Sequence, residues 1–404
     1  MKYSKSSIED LTDRYGSPLY VFDERGFREN YGALDSAMKS RYENYRIAYS
    51  FKTNYTPYIC KTAKSLGAYA EVVSGMEYAI AKKIGYDDRH IIFNGPEKGR
   101  EGIKAFENGC IINVDSLDEL KLFCETAKAK PAKQYTIGVR INLNIGQGFI
   151  SRFGMDEKDA VIAFQEVEEI ENLRIVGLHC HISRCRNLAA WKKRTETMLH
   201  LADRFFTDAP EYLDLGSGMF GSMAPEFAAQ FSDVPSYEEY AEVTAGLIAA
   251  HYRGRKKPIL FTEPGTTLIN RFVECITRVE AIKEIHNCFF AVLNASEHTL
   301  GETCTLKNLP VEVIPCGAPQ QEYERIQLTG YTCLEQDVLF KDFKGCLAKG
   351  DYVVFGNTGG YSNVLKPPFI RPNCAMVAET ADGGFQVIKS AESYQDILRT
   401  YIFS

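Results

Sequence analysis

Two architectures follow one another along the 404-residue chain. An α/β region predicts a (β/α)8 TIM-like barrel over residues 25–271, and residues 1–24 with 272–404 predict a second, mostly β (β-sandwich or barrel-like) domain. Three observations carry this. Eight short β-rich runs alternate with stretches of helical apolar spacing, so the repeated unit is strand then helix. Each run ends in a polar cluster, as expected where barrel chemistry gathers at the carboxyl ends of the strands. From about Phe272 the alternation stops and only strands and turns remain.

The chain opens with a helical pattern, Ile8 to Tyr15, a turn at Gly16-Ser17-Pro18, and a strand, Leu19 to Phe22, that is expected to join the β domain. The eight runs are Arg46–Phe51, Ala68–Val73, His90–Phe93, Cys110–Val114, Tyr135–Ile141, Arg174–Cys180, Tyr212–Leu215 and Ile259–Thr262; Met76 to Ile84 and Leu117 to Ala127 exemplify the helices between them. An open doubly wound sheet is the rival, but it usually has fewer strands. The strand ends carry Lys52, Ser74, Asn94-Gly95, Asp115-Ser116, Arg140-Ile141-Asn142, His179 and His181, Gly216-Ser217-Gly218, and Glu263-Pro264-Gly265. The later strands are Val273–Ile285, Cys288–Leu293, Val311–Ile314, Tyr323–Leu328, Asp351–Phe355, Ala375–Val377 and Phe385–Ile388.

Composition narrows the function classes. With 45% apolar and 25% charged residues the chain reads as globular. A net charge of -6 argues against nucleic acid or an anionic membrane as partner. No apolar run approaches the roughly 20 residues of a bilayer span and no leader opens the sequence, so a cytoplasmic location is expected. The twelve cysteines lack paired spacings and are expected to be reduced thiols. His179-Cys180-His181 with Cys185 is the one metal-like cluster; no second ligand pair lies nearby, so no metal is expected.

Three strand ends carry complementary chemistry. Lys52 leaves a buried strand at its carboxyl end, where partial desolvation favours a nucleophilic amine able to form a Schiff base. Leu213-Asp214-Leu215-Gly216-Ser217-Gly218 sets glycines after a strand, where bare N–H groups can approach a phosphate. Glu263, before Pro264-Gly265, places a rigid carboxylate at the barrel mouth. A lysine, a phosphate cradle and a fixed acid are what pyridoxal 5'-phosphate requires, and His181 stands where it can stack on the ring.

With these residues in order, the chain resembles the fold-type III, pyridoxal-phosphate-dependent amino-acid decarboxylases, the group of diaminopimelate, ornithine and arginine decarboxylases. The resemblance runs from about Tyr15 to Tyr361. It includes Tyr15-Gly16-Ser17-Pro18-Leu19-Tyr20-Val21, Ser50-Phe51-Lys52-Thr53-Asn54, Glu71-Val72-Val73-Ser74-Gly75-Met76-Glu77, Ser151-Arg152-Phe153-Gly154 and Gly177-Leu178-His179-Cys180-His181. It implies Lys52 as the Schiff-base lysine, and Glu71, His181, Gly216, Ser217, Gly218, Glu263, Gly265, Thr266 and Tyr361 as cofactor contacts. Cys333 is implied as the catalytic proton donor, with Glu335, Asp337 and Tyr361 at the substrate. It further implies a homodimer in which Cys333 and Asp337 serve the partner's site.

Four departures bear on substrate and phosphate. Thr266 stands where most relatives have arginine, and Ser183-Arg184 replaces the usual Gly-Ser, so Arg184 or Arg186 is the expected source of phosphate charge. Glu71 stands for the usual aspartate. Leu334 stands where an acid normally follows the cysteine, which makes diaminopimelate the less expected substrate. The reading is a decarboxylase of an α-amino acid, with a diamino acid, a carboxylated polyamine or a carrier-bound amino acid as candidates. The rivals are a non-catalytic decarboxylase-like regulator and an amino-acid racemase. Retention of Lys52, His181, Glu263 and Cys333 argues against the regulator, and the cysteine segment argues against the racemase.

Overall fold

The computed structural model describes residues 3–146, 148–380 and 383–403. Its contacts divide the chain into two compact units, one of residues 28–221 and 233–267, the other of residues 1–27, 222–232 and 268–404. The stretch 222–232, part of the barrel region by sequence, packs with the β-rich unit: Gln230 Nε2 donates to Asn308 O at 2.8 Å and Lys307 Nζ to Gln230 O at 2.8 Å.

Strand β1 (Leu19–Asp23) belongs to the β-rich unit. The barrel strands are β2 (Tyr45–Ser50), β3 (Tyr69–Val72), β4 (Ile91–Phe93), β5 (Ile111–Val114), β6 (Tyr135–Arg140), β7 (Leu173–His179), β8 (Tyr212–Asp214) and β9 (Ile259–Thr262). They form a closed parallel barrel in sequence order, and β2 paired with β9 completes it. Their near-continuous burial is what a parallel sheet covered on both faces requires. Five of the eight end one residue earlier than the apolar pattern, at Ser50, Val72, Arg140, His179 and Asp214.

The barrel interior is plugged below that mouth. Tyr212 fills it, and a Cβ on Gly177 would stand 2.3 Å from its ring, while one on Gly138 would stand 2.0 Å from its hydroxyl oxygen. Only glycines leave that space. The Tyr212 hydroxyl donates to Asn113 Oδ1 at 2.7 Å, and Ala48, Ile92, Val176 and Phe261 complete the cluster.

Two βα loops use one local device. Ser74 caps helix Gly75–Lys83 by accepting from Glu77 N at 3.2 Å, and Glu77 Oε2 accepts Val73 N at 2.7 Å. Ser116 and Glu119 repeat it on helix Leu117–Lys128, with Asp115 N held at 2.7 Å. Each pair satisfies otherwise orphaned N–H groups where strand becomes helix.

The β-rich unit adds β10 (Val273–Ile285), β11 (Cys288–Leu293), β12 (Val311–Ile314), β13 (Gln321–Thr329), β14 (Val338–Leu347), β15 (Tyr352–Phe355), β16 (Ala375–Glu379) and β17 (Phe385–Lys389). The sheet runs β14-β13-β11-β10-β1-β16-β17, and β15 pairs with β10 and β12. The early strand joins as expected: β1 lies antiparallel to β10 and parallel to β16. Ile8, Leu11, Leu19, Val21, Ile276, Val354 and Val377 form its core. No sequence expectation covered β14. Its run Val338–Leu347 carries Lys341, Asp342 and Lys344, and its register with β13 shifts three times, which breaks the period-two pattern. Among the described residues, no helix is long and apolar enough to cross a membrane.

Candidate active site

Chain direction brings the strand-end residues of the barrel together. The single turn Phe51–Thr53 after β2 carries Lys52, whose Nζ lies 2.5 Å from Glu71 Oε2 and 2.8 Å from Ser50 Oγ. Ser50 Oγ also donates to Glu71 Oε2 at 2.6 Å. Glu71 is 1% exposed while the Lys52 side chain keeps 32%, so the carboxylate is the fixed partner and the amine reaches out.

A polar line links Glu71 to Glu263. Asn94 Nδ2 donates to Glu71 Oε1 at 3.1 Å and to Glu263 Oε1, and its own Oδ1 accepts from Asn113 at 2.9 Å. Glu263 Oε2 lies 3.4 Å from His179 Nε2 and 3.8 Å from His181 Nδ1. One donor atom each of His179, Asp214 and Glu263 lies within 4.8 Å of the others, all three buried.

The charge states follow from this crowding. Burial and the neighbouring Glu263 charge push the Asp214 carboxyl well above the usual carboxylate range. Burial alone would raise Glu263 too, but His179, Lys52 and His181 beside it hold its carboxyl well below that range. Two buried carboxylates this close cannot both ionise, so Asp214 keeps the proton and Glu263 the charge. Burial keeps His179 and His181 neutral, with the Lys52 charge adding to the effect on His181. His181 Nδ1 accepts Ser217 N at 3.2 Å, so its proton sits on Nε2.

The glycine turn after β8 is tied into the same cluster. Gly216 has φ +66°, and a Cβ there would stand 2.4 Å from Cys180 O. Gly216 N donates to Asp214 Oδ1 at 2.9 Å, and Gly216 O accepts Glu263 N at 2.8 Å. The expectation that Gly216, Ser217 and Gly218 all offer bare N–H groups therefore narrows: the first two are used internally. Among the described residues, the N–H groups of Gly218 and Met219 donate to no protein acceptor. Gly265 lies behind the Lys52 turn, and half-buried Thr266 starts helix Thr266–Ile269.

The β-rich unit carries the remaining residues. Cys333 is exposed in the turn between β13 and β14, and Glu335 is exposed beside it. Asp337, expected at a substrate amine, is buried and accepts three hydrogen bonds: Oδ1 from Glu297 N at 2.7 Å, and Oδ2 from Thr332 N at 3.1 Å and Thr332 Oγ1 at 2.6 Å. Tyr361 is half-buried on left-handed backbone, φ +55°. Arg184 is exposed, while Arg186 Nη1 donates to a carbonyl of the glycine turn, Met219 O at 2.8 Å. Asn94, His179 and Asp214 had no assigned role in the sequence reading. Their place at strand ends was the available signal.

These residues fit pyridoxal phosphate by their chemistry: a half-exposed amine on a fixed carboxylate, a buried ionised acid between neutral imidazoles, and a glycine turn with two free N–H groups. Comparison with known proteins agrees. Residues 31–270 match the pyridoxal-dependent decarboxylase family over its pyridoxal binding domain. Diaminopimelate decarboxylase from Aquifex aeolicus is 26% identical over 97% of this chain and 93% of its own. The enzyme of the same name from Methanothermobacter thermautotrophicus is 27% identical over 96% and 92%. The crystal structure of diaminopimelate decarboxylase from M. jannaschii superposes with a TM-score of 0.86 at 25% identity, covering 98% of this chain and 94% of that one. The relatives thus carry the substrate name that Leu334 counted against. The chain belongs to the pyridoxal-dependent decarboxylases and is a carboxy-lyase for amino acids that uses pyridoxal phosphate.

Proposed function

We propose that this enzyme decarboxylates a free α-amino acid whose extended side chain ends in a carboxylate-bearing group, working in the cytoplasm as a homodimer whose subunits share their sites. One observation carries the substrate class. A pocket of about 250 Å³ adjoins His181, walled by Leu143, Phe149, Ile150, Phe153 and Ile182, and Arg152 is its one charged side chain. Arg152 lies 4.1 Å over the Phe153 ring and pairs with no carboxylate among the described residues. A lone distal ammonium finds no partner there, whereas a distal carboxylate does. Diaminopimelate, the substrate in the relatives' names, falls in this class through its distal carboxylate; Leu334 removes an acid that would have met its distal amine. The twelve free thiols suit a reducing compartment.

Pyridoxal phosphate, when bound, supplies the electron sink for the bond to the departing carboxylate. Lys52 is the amine that holds it, and Glu71 with Ser50 sets where that amine stands. Glu263, kept ionised, holds a proton on the ring nitrogen, and neutral His181 offers a flat face. Asp337 braces the turn that presents Cys333, whose Sγ delivers a proton to the substrate carbon of the partner's site. Glu335, exposed beside it, is the candidate contact for a distal amine.

Carbon dioxide release from diaminopimelate, 2-aminopimelate, lysine, ornithine and arginine tests this. The two carboxylate-ended substrates should exceed the others in kcat/KM by about tenfold or more, the worth of one charge-assisted contact. Arg152→Met should erase that preference. Faster turnover of lysine or ornithine would refute the substrate class and leave the cofactor assignment untouched.

A further inference from the structure

The glycine turn after β8 has its carbonyls held from one side. Helix Leu188–Phe205 sends Arg194 beneath it: Nη1 donates to Leu215 O at 2.9 Å and to Ser217 O at 2.8 Å, and Nη2 to Ile182 O at 3.2 Å. Trp191, one helical turn earlier, donates Nε1 to Gly218 O at 3.2 Å. In a trans peptide the C=O and the next N–H point in opposite directions. Fixing Ser217 O and Gly218 O on the helix side therefore aims the N–H groups of Gly218 and Met219 away from it, and these are the two that find no protein acceptor. Neighbouring N–H groups aimed alike make an anion nest.

The charge balance points the same way. Arg194 is 0% exposed, stacks 4.0 Å over the Trp191 ring, and forms no ion pair among the described residues. Its Nε has no hydrogen-bond partner among the described residues. Carbonyl oxygens supply only partial charge, and a buried full charge without a counter-charge is costly. Its Nη2 lies 3.8 Å from where a Cβ on Gly218 would stand, so the guanidinium sits directly behind the free N–H groups. Thr266 brings no charge to this region, and exposed Arg184 makes no hydrogen bond or ion pair to the turn among the described residues.

We propose that Arg194 is the positioning residue of the phosphate subsite: it orients the Gly218 and Met219 amides and provides, from behind the turn, the positive charge that Thr266 does not. The counter-charge of the buried guanidinium is then the cofactor phosphate itself. This rests on pyridoxal phosphate as cofactor and is independent of the substrate proposed above.

Apo-enzyme titrated with pyridoxal phosphate and with pyridoxal, which lacks the phosphate, tests the role without an activity assay. In Arg194→Gln the preference for the phosphorylated form should fall by about tenfold or more, with pyridoxal binding within about threefold of wild type, and inorganic phosphate should raise the Tm of the wild-type apo-enzyme only. An unchanged preference overturns the proposal. So does equal weakening of both ligands, which marks a turn that has merely collapsed. If Arg194→Gln does not fold, Arg194→Lys carries the test: it keeps the charge with fewer donors and should keep most of the preference. A Lys variant of native Tm that has lost the preference overturns the proposal as well.

Discussion

Gly265 stands so close to Thr53 that a Cβ on the glycine would lie 2.0 Å from Thr53 Oγ1 and 2.8 Å from Thr53 Cβ. The Glu263-Pro264-Gly265 turn after β9 thus packs on the turn that carries Lys52, across the β2–β9 pair that closes the barrel. Gly265→Ala should cost about 1–3 kcal/mol of stability, as overpacking does, and displace Lys52. Borohydride should fix the cofactor to Lys52 in the wild type and to a smaller fraction of the variant. Thr53→Ala in the Gly265→Ala background should recover part of both losses. A variant with native Tm and full fixation would show that the two turns are not coupled.

The shared proton of Asp214 and Glu263 sets a second expectation. Glu263→Gln leaves a neutral amide in the same space, so cofactor affinity should stay near wild type. Turnover should fall by about 10² or more, in the range seen when a group that handles a catalytic proton is lost. Cofactor absorbance and steady-state kcat measured on one preparation separate the two effects. Near-normal kcat would remove Glu263 from the role given to it.

Glu77 makes stability pH-dependent. Burial pushes its carboxyl from 4.5 up to about 7, against the hydrogen bond from Val73 N that lowers it. A raised pKa means the folded chain favours the neutral acid. That stabilisation is complete below about pH 4.5, is lost as pH rises to about 7, and amounts to about 3 kcal/mol at most. Glu77→Gln is neutral at every pH and can still accept from Val73 N. Its Tm relative to wild type should therefore climb between pH 4.5 and 7 and level off above. A constant difference across that window would mean that Glu77 does not titrate there.

The proposed homodimer would join fold to mechanism. Asp337 accepts two hydrogen bonds from Thr332 inside the 330–337 turn and a third from Glu297 N, and Cys333 stays exposed on that turn. If Cys333 serves the partner's site, Lys52→Ala and Cys333→Ala are each nearly inactive, and a mixed dimer regenerates one site with both wild-type residues. Random mixing should restore roughly a quarter of wild-type activity, given two-fold symmetry with shared sites. Co-expressed, differently tagged subunits provide the measurement. No recovery in tandem-purified mixed dimers would assign Cys333 to its own chain or to no catalytic role.

The barrel was legible because its signals are local. Alternation in Arg46–Phe51 or Tyr135–Ile141 is written within six or seven residues, and the turn chemistry of Ser74 with Glu77 within four. Strand ends in a parallel barrel converge, so Lys52, His181 and Glu263 could be placed at one mouth before any distance was known. What tertiary structure alone decided depends on partners far apart in sequence. Asn94 bonds Glu263 across 169 positions, and the charge of Glu263 is set by burial against His179, Lys52 and His181, which lie at the ends of two other strands. Arg194 sits in Trp191-Lys192-Lys193-Arg194, which reads as a solvated basic face, and only the folded helix shows that its guanidinium turns inward while Lys192 and Lys193 stay outside. That Asp337 is buried and bonded to Glu297 N and Thr332 is likewise invisible in the sequence around Cys333. Burial, charge state and hydrogen-bond saturation belong to the assembled neighbourhood, and no window of sequence contains it.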